Sequence, residues 1–423
     1  MTDTTPGAVA VTLLVLFLAS LLLSRTHLLR MIFRTVRAAQ PGQRWRTLWF
    51  MLRAIATRRK ADPGPRTPEE RAFSVPDDPL RTVPYAQWHR LDSLVANARK
   101  VSAFETGTSA SSLDLDGSVV LVRSRDDVTF DIGVLAPDGE FHTVTGPDGV
   151  RCATAPRPSI DHGALAWWQI AMDGKSAVLW AAAQGGEARV LHTESLPTGQ
   201  ARPWEPYGWV VVAGDWAVWT ILTRDLKQRG RIGATSMDGR TYYLGETQFP
   251  TIHRDPGAER LGRRIVAVNI AKEDYSGLGQ VAEVDLNGPT PTVRILRTGA
   301  HPGASVYEGT VVGYWAAVKA LQLPGGLWVS LPMGTSVSDV ISDGEWCVGL
   351  VFSPPDAVTK STSVSELFHL PTGARQRLTE TPWGVAEIRG DRVLWSWAPP
   401  QQHTFGAHSW VGELRAPGTA AHT

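Results

Sequence analysis

Seven times along this chain a glycine turn is followed at once by a run of apolar, β-branched and aromatic residues. The copies are "LDGSVVLVRS" at Gly117, "DHGALAWWQI" at Gly163, "AGDWAVWTIL" at Gly214 and "LGRRIVAVNI" at Gly262. "EGTVVGYWAA" at Gly309, "DGEWCVGLVF" at Gly344 and "RGDRVLWSWA" at Gly390 complete the set. The turn glycines are 46, 51, 48, 47, 35 and 46 residues apart. A period in this range, carried by strand-forming residues, specifies a unit that cannot bury its faces alone and must stack against copies of itself.

Each unit also carries a second hairpin. In "DIGVLAPDGEFHTVT", "RIGATSMDGRTYYLG", "QVAEVDLNGPTPTVRIL" and "SELFHLPTGARQRLT" the turns fall at Asp138-Gly139, Asp238-Gly239, Asn287-Gly288 and Thr372-Gly373. Such pairs supply the positive φ of tight hairpins. One unit therefore reads as strand a, Gly turn, apolar strand b, loop, strand c, Asp/Asn-Gly turn, strand d. Strand b lacks polar alternation, as expected of a sheet covered on both faces by its neighbours. Many of the 17 Trp residues fall in these strands, among them Trp167, Trp168, Trp216, Trp219, Trp315, Trp346, Trp395 and Trp397, and are expected to fill the gaps between units. The seventh unit runs out of chain after its third strand, so the stretch at 98–106 ("ARKVSAFET") is the candidate for the missing last strand.

These units resemble the TolB/WD40-like seven-bladed β-propellers of bacteria over roughly residues 98–420. The Gly-His and Trp-Asp dipeptides of the eukaryotic repeat do not recur. The resemblance implies a scaffold or binding platform and transfers no catalytic residue.

Ahead of the repeats the chain changes character. Thr4 to Ser24 are 21 consecutive uncharged residues, long enough at ~1.5 Å per residue to span a hydrocarbon core. With only Asp3 before them and no small-x-small site after them, they read as an uncleaved transmembrane helix (residues 1–24) and not as a signal peptide. Ten basic and no acidic residues follow between Arg25 and Lys60. That asymmetry predicts a single-pass protein of the inner (plasma) membrane, N-terminus outside and propeller in the cytoplasm, with an envelope-facing propeller as the alternative. Residues 25–60 have helical periodicity, and Arg30, Arg34, Arg37, Trp45, Trp49 and Arg53 are the residues expected at a surface of anionic headgroups. Residues 61–84 read as a Pro-rich linker and 85–423 as the propeller, giving an all-β domain preceded by a membrane anchor and a basic amphipathic segment.

The 42 basic and 41 acidic residues of the chain leave residues 61–423 with 32 and 40, a net of −8 that excludes phosphate tracking and so nucleic acid. No G-x-S-x-G, Walker loop, GxGxxG or HExxH occurs, and no cofactor is implied. "SIDHGALAWW" resembles the Asp box of sialidase-type propellers, but the repeat puts it in an a–b turn with a structural role. His162, His403 and His408 form no triplet of metal ligands, and Cys152 and Cys347 read as buried thiols. Asp215, Asp343 and Asp391, beside turn glycines, are expected to bond their own turns. Arg389-Gly390-Asp391 spells an adhesion triplet, but the repeat makes Gly390 a structural turn with Arg389 preceding it by coincidence.

The variable parts are the b–c loops 222–231, 271–280, 353–363 and 399–409, all on one face of a propeller. Arg224, Lys227, Arg229, Lys272, Asp274, Tyr275 and Lys360 in them are the expected contacts to a protein partner. The leading expectation is a non-catalytic, membrane-tethered scaffold, not an enzyme. The alternative is a propeller enzyme or small-ligand sensor that uses the channel mouth, marked by acids or histidines converging there.

Overall fold

Each repeat folds into its own antiparallel sheet in the computed structural model of the protein. Residues 82–418 are described, apart from 184–185, 197–207, 223–229, 248–250, 271–279, 299–302, 316–319, 332–334, 353–362, 380–385 and 398–405. The inner strands of the seven sheets touch in chain order, and the seventh touches the first, so the sheets close into a seven-bladed propeller. Numbering blades from the first repeat, the inner strands that matter below are Thr108–Leu113 (blade 1), Ser159–Asp161 (blade 2), Gly208–Ala213 (blade 3) and Ile252–Arg254 (blade 4). Ser305–Tyr307, Ser336–Ser342 and Ala386–Arg389 follow in blades 5, 6 and 7.

The repeat turns fall where the sequence puts them. All seven glycines have positive φ, from 58° at Gly390 to 92° at Gly344, a region costly for any residue with a Cβ. The second strand of blade 3, Trp216–Leu222, is buried on both faces over its first six residues. Its Trp219 ring lies over Gly233 of the paired strand, where an added Cβ would meet Trp219 Cζ2 at 2.2 Å. The ring donates Nε1–H to Thr235 Oγ1 at 2.9 Å and meets Trp168 of blade 2 edge-on, centroids 5.3 Å apart. Trp167 and Trp168 of blade 2, Trp216 of blade 3, Trp346 of blade 6 and Trp395 of blade 7 likewise lie in the apolar clusters between blades. Full burial of one such side chain contributes about 1.5–3 kcal/mol, which accounts for tryptophan as the filler of a gap that widens outward.

Ring closure uses more of the N-terminal segment than the sequence predicts. Val95–Ser102 pairs antiparallel with His408–Leu414 and supplies the outer strand of blade 7. Before that, Thr82–Pro84 lies parallel to Trp328–Ser330 as a fifth strand of blade 5. His89–Arg90 lies parallel to Ala374–Arg375 in the same role on blade 6. One continuous strap therefore crosses three blades, and the last residues assigned to the linker, Thr82–Pro84, already belong to a sheet.

Buried anchors hold the strap. Tyr85 donates its hydroxyl to Glu366, while Arg375 donates Nη1–H to the Tyr85 oxygen and to Glu366 Oε1, each at 3.0 Å. The Arg375 guanidinium also covers the Tyr85 ring, 4.5 Å from its centroid. Trp88 packs edge-on against Phe368 at 5.3 Å, and the N–H groups of Leu94 and Val95 share Gln376 Oε1 at 2.7 and 3.1 Å. A glutamate sealed from water is stable as an ion only with partners of this quality.

The expected membrane span, the basic segment and every membrane-surface residue named above lie outside the described residues. Among the described residues no helix is long and apolar enough to cross a membrane. The α-helix α1, Pro256–Arg260, is five residues long.

Removal of residues 82–102 is expected to abolish the single cooperative unfolding transition followed by circular dichroism. An unchanged melt would refute closure by the strap.

Candidate functional site

Two arginines at the ends of inner strands cross the middle of the ring. Arg254, which ends the inner strand of blade 4, donates to Glu387 of blade 7 at 2.5 Å, to Val212 O of blade 3 at 2.8 Å and to Ser159 Oγ of blade 2 at 2.8 Å. Arg389, which ends the inner strand of blade 7, donates to Leu113 O of blade 1 at 3.1 Å and Ile160 O of blade 2 at 2.9 Å. It also pairs with Asp161 of blade 2 and with Glu259 of α1, and Asp114 lies 3.5 Å away. Arg389 is 1% exposed. Glu387 closes the circuit by accepting the Leu113 N–H at 2.8 Å.

The insertion in blade 4 that carries α1 completes this hub. Asp255 caps the helix, accepting from Gly257 and Ala258, and its second oxygen accepts the Glu308 N–H of the blade 5 turn at 3.0 Å. Arg260 at the far end reaches Asp343 of blade 6 at 2.5 Å. Residues 254–260 thus hold side chains or backbone of blades 2, 3, 5, 6 and 7 from blade 4. Carboxylates of neighbouring inner strands repeat the stitch on a smaller scale. Asp114 accepts the N–H groups of His162 and Gly163 in the next blade at 3.0 and 2.8 Å, and Asp161 accepts that of Gly214 in the one after.

Proton affinities follow from this packing. Burial works against the Arg389 charge, but Glu259, Asp161 and Glu387 outweigh it and raise its pKa. Burial and the neighbouring Arg389 lower that of Arg254. Burial would raise the Asp161 pKa, yet Arg254, Arg389 and the Gly214 N–H hold it below the usual carboxylate range. Burial dominates at Asp255, whose pKa is pushed up to about 6, and at Asp343, which is also raised.

The hub sits at the end of the channel where the a–b turns lie, opposite the b–c loops. Beside it, between the turns of blades 6 and 7, opens a cleft of about 500 Å³ lined by Arg260, Glu345, Trp346, Asp391, Glu413 and Arg415, among others. Three of these charges are held: Arg260 by Asp343, Glu345 by His369 at 3.3 Å and Glu413 by Asn97 at 2.7 Å. Asp391 is 73% exposed with only Arg392 nearby, at 3.7 Å. The Arg415 side chain has no partner among the described residues, while its N–H donates to Leu94 O.

Several expectations change. Acids do converge at the centre, but two arginines fill the space between them. Arg389 is no coincidence of spelling, since its side chain is the most connected ion of the hub. Its burial removes the adhesion reading, because no receptor reaches it. Of the three turn aspartates only Asp343 bonds its own turn, accepting from Glu345 at 3.0 Å and Trp346 at 2.6 Å. Asp215 and Asp391 follow their glycines instead of preceding them; Asp215 points out to Arg264 at 3.1 Å and is 80% exposed. Arg224, Lys227, Arg229, Lys272, Asp274, Tyr275 and Lys360 all lie outside the described residues. His162 is exposed and His408 stacks on Trp397 at 4.9 Å, and among the described residues no cluster of His, Cys, Asp and Glu could hold a metal ion. Cys152 and Cys347 are buried thiols whose pKa burial pushes up, to about 12 at Cys152, so neither is a nucleophile.

No family model and no curated protein matches this chain. Solved structures similar to it include the β-propeller domain of the Trilobed protease from Pyrococcus furiosus, 9% identical at a TM-score of 0.44 over 76% of this chain and 99% of that one. The acylaminoacyl peptidase of Pyrococcus horikoshii is 13% identical at a TM-score of 0.41, over 75% of this chain and 61% of that one. A puromycin-hydrolyzing peptidase of Mycobacterium tuberculosis is 13% identical at 0.41, over 81% and 57%. The chain therefore spans about three fifths of the latter two, and the likeness is one of fold. The names of these structures are those of a protease propeller domain and of peptidases, not of non-catalytic scaffolds, so the expectation of a non-catalytic scaffold that is not an enzyme is withdrawn.

Replacing Arg389 by Met is expected to cost about 3–5 kcal/mol of unfolding free energy, because it leaves buried Asp161 and half-buried Glu259 without this cation. Asp391→Ala should stay within about 0.5 kcal/mol. Urea midpoints of the two variants decide it, and equal losses would refute the assignment. Asp255 adds a pH signature. Its folded pKa of about 6 lies above the ordinary ~3.9, so its contribution is full below pH ~4 and is lost as pH rises through 6. Asp255→Asn should lower stability overall and flatten its decline between pH 5 and 7, read from melts across that range.

Proposed function

We propose that the protein is a membrane-tethered recognition propeller that binds a small charged molecule at the cleft between blades 6 and 7. One observation carries this reading. Beside a channel end occupied by ion pairs, the cleft presents three carboxylates and two guanidinium groups around Trp346, in a volume typical of small-ligand sites, about 300–1,000 Å³. Asp391, largely exposed with only a long contact to Arg392, and Arg415, whose side chain has no partner among the described residues, are the charges there open to a ligand.

The sequence supports the tether. The uncharged stretch Thr4 to Ser24 would cross the bilayer once, and Arg30, Arg34, Arg37, Trp45, Trp49 and Arg53 would rest on its anionic surface. The absence of basic residues before the span supports a propeller on the cytoplasmic side of the inner (plasma) membrane. No residue is assigned a catalytic role.

Two measurements test the reading. A small-molecule library screened by thermal shift should contain compounds that raise the melting temperature of the protein but not of a variant with Glu345, Asp391 and Arg415 replaced by Ala. Hits that stabilise both equally would remove the cleft as the site. A C-terminal reporter active only in the periplasm should stay silent, and a signal from it would overturn the cytoplasmic assignment.

A further inference from the structure

We infer that the ligand of this cleft is a small zwitterion carrying an α-ammonium and a carboxylate, a free amino acid or a di- or tripeptide, with Asp391 reading the ammonium and Arg415 the carboxylate. This rests on the cleft reading above and narrows it.

Five ionic side chains line the cleft. Arg260, Glu345 and Glu413 are each engaged, by Asp343, His369 and Asn97. The least engaged are Arg415, whose side chain has no partner among the described residues, and Asp391, which is 73% exposed with Arg392 3.7 Å away; both lie on the same side of the seam between His408–Leu414 and Val95–Ser102. Asp391 follows the blade 7 turn glycine, and Arg415 follows the strand His408–Leu414. The Leu414 N–H donates to Asp391 O at 2.7 Å, so the two backbones are fixed relative to one another. Yet the two side chains do not pair with one another: among the described residues Asp391 has only Arg392, at 3.7 Å, and the Arg415 side chain has no partner. Oppositely charged groups held apart on a rigid frame favour a ligand that bridges them with charges of its own. A simple anion would satisfy Arg415 and be repelled by the three carboxylates; a simple cation would leave the fork of Arg415 unused.

The wall also contains Ala96 of the strap. Beside it Asn97, in a left-handed conformation with φ 48° at a break in strand register, holds Glu413. A ligand in the cleft therefore contacts both chain segments that meet in blade 7, and it should protect that seam.

The test is isothermal titration of the full-length protein in detergent with leucine, Leu-Leu and Leu-Leu-Leu, alongside N-acetylated and C-amidated forms of each. At least one unblocked ligand is expected to bind, and blocking either end should weaken it by about tenfold or more. Asp391→Asn should weaken the unblocked and amidated ligands and spare the acetylated one. Arg415→Gln should weaken the unblocked and acetylated ligands and spare the amidated one. Both substitutions are at exposed positions and should leave the melt unchanged. Binding of leucine alone would identify free amino acids, and binding that grows with length would identify peptides. Hydrogen exchange of residues 95–102 should slow when the ligand is bound. The inference is overturned if blocked and unblocked ligands bind alike, or if none binds while another compound stabilises the protein through the same cleft. If no compound of any kind depends on the cleft residues, the broader cleft reading falls with it.

Discussion

The two arginines that cross the ring, Arg254 and Arg389, set the terms for the rest of the molecule. A propeller is held mainly by contacts between adjacent blades, and nothing in that scheme fixes blades that are far apart around the circle. Arg254 joins blade 4 to blades 2, 3 and 7, and Arg389 joins blade 7 to blades 1 and 2 and to α1. Bringing two guanidinium groups and their carboxylates out of water costs several kcal/mol per ion before any pairing. An apolar plug of equal size would give comparable stability. What it would not give is direction: each arginine fits only where particular carbonyl and carboxylate oxygens converge. The hub is best understood as fixing the count and register of the ring.

The same logic explains why the circle is sealed at its outer edge by the strap. Blade 7 is assembled from both ends of the domain, so its stability depends on a contact closed late and over a long stretch of chain, with a correspondingly large entropic cost. Tyr85, Trp88 and Leu94 add buried anchors on blades 5 and 6 before the outer strand begins. These contacts divide the closing step into three smaller ones.

How much of this was legible depends on what each feature asks of the backbone. The blades could be counted because seven turns demand positive φ and glycine is the cheap way to obtain it. The inter-blade role of Trp168 and Trp219 could be read because strand b has no polar alternation. The strap was only half visible. Counting strands pointed to 98–106 for the closing strand, which overlaps the observed Val95–Ser102, but Thr82–Pro84 and His89–Arg90 are three- and two-residue parallel pairings, too short to leave a periodic pattern. The hub was invisible for a different reason. Arg254, Glu259, Glu387 and Arg389 look like ordinary surface charges in sequence, and only the ring brings residues more than a hundred positions apart within hydrogen-bonding distance. One signal was present: the a–b turn of blade 4 is lengthened by "RDPGAER", an insertion outside the b–c loops on which the sequence reading rested. Loop length drew attention to one face while the chemistry assembled at the other.

That displacement has a physical consequence for binding. With Arg254 and Arg389 committed to Glu387, Asp161 and Glu259, the a–b end of the ring's axis is closed by ion pairs made within the protein. Recognition is then left to charges whose nearest partners are already committed elsewhere. Asp391 is such a group because its neighbour Arg389 turns inward to the hub, and Gly390 between them makes that divergence possible by reversing the chain. The triplet Arg389-Gly390-Asp391 therefore works as three separate parts: an ion that locks the ring, a hinge in the backbone, and a carboxylate left facing solvent.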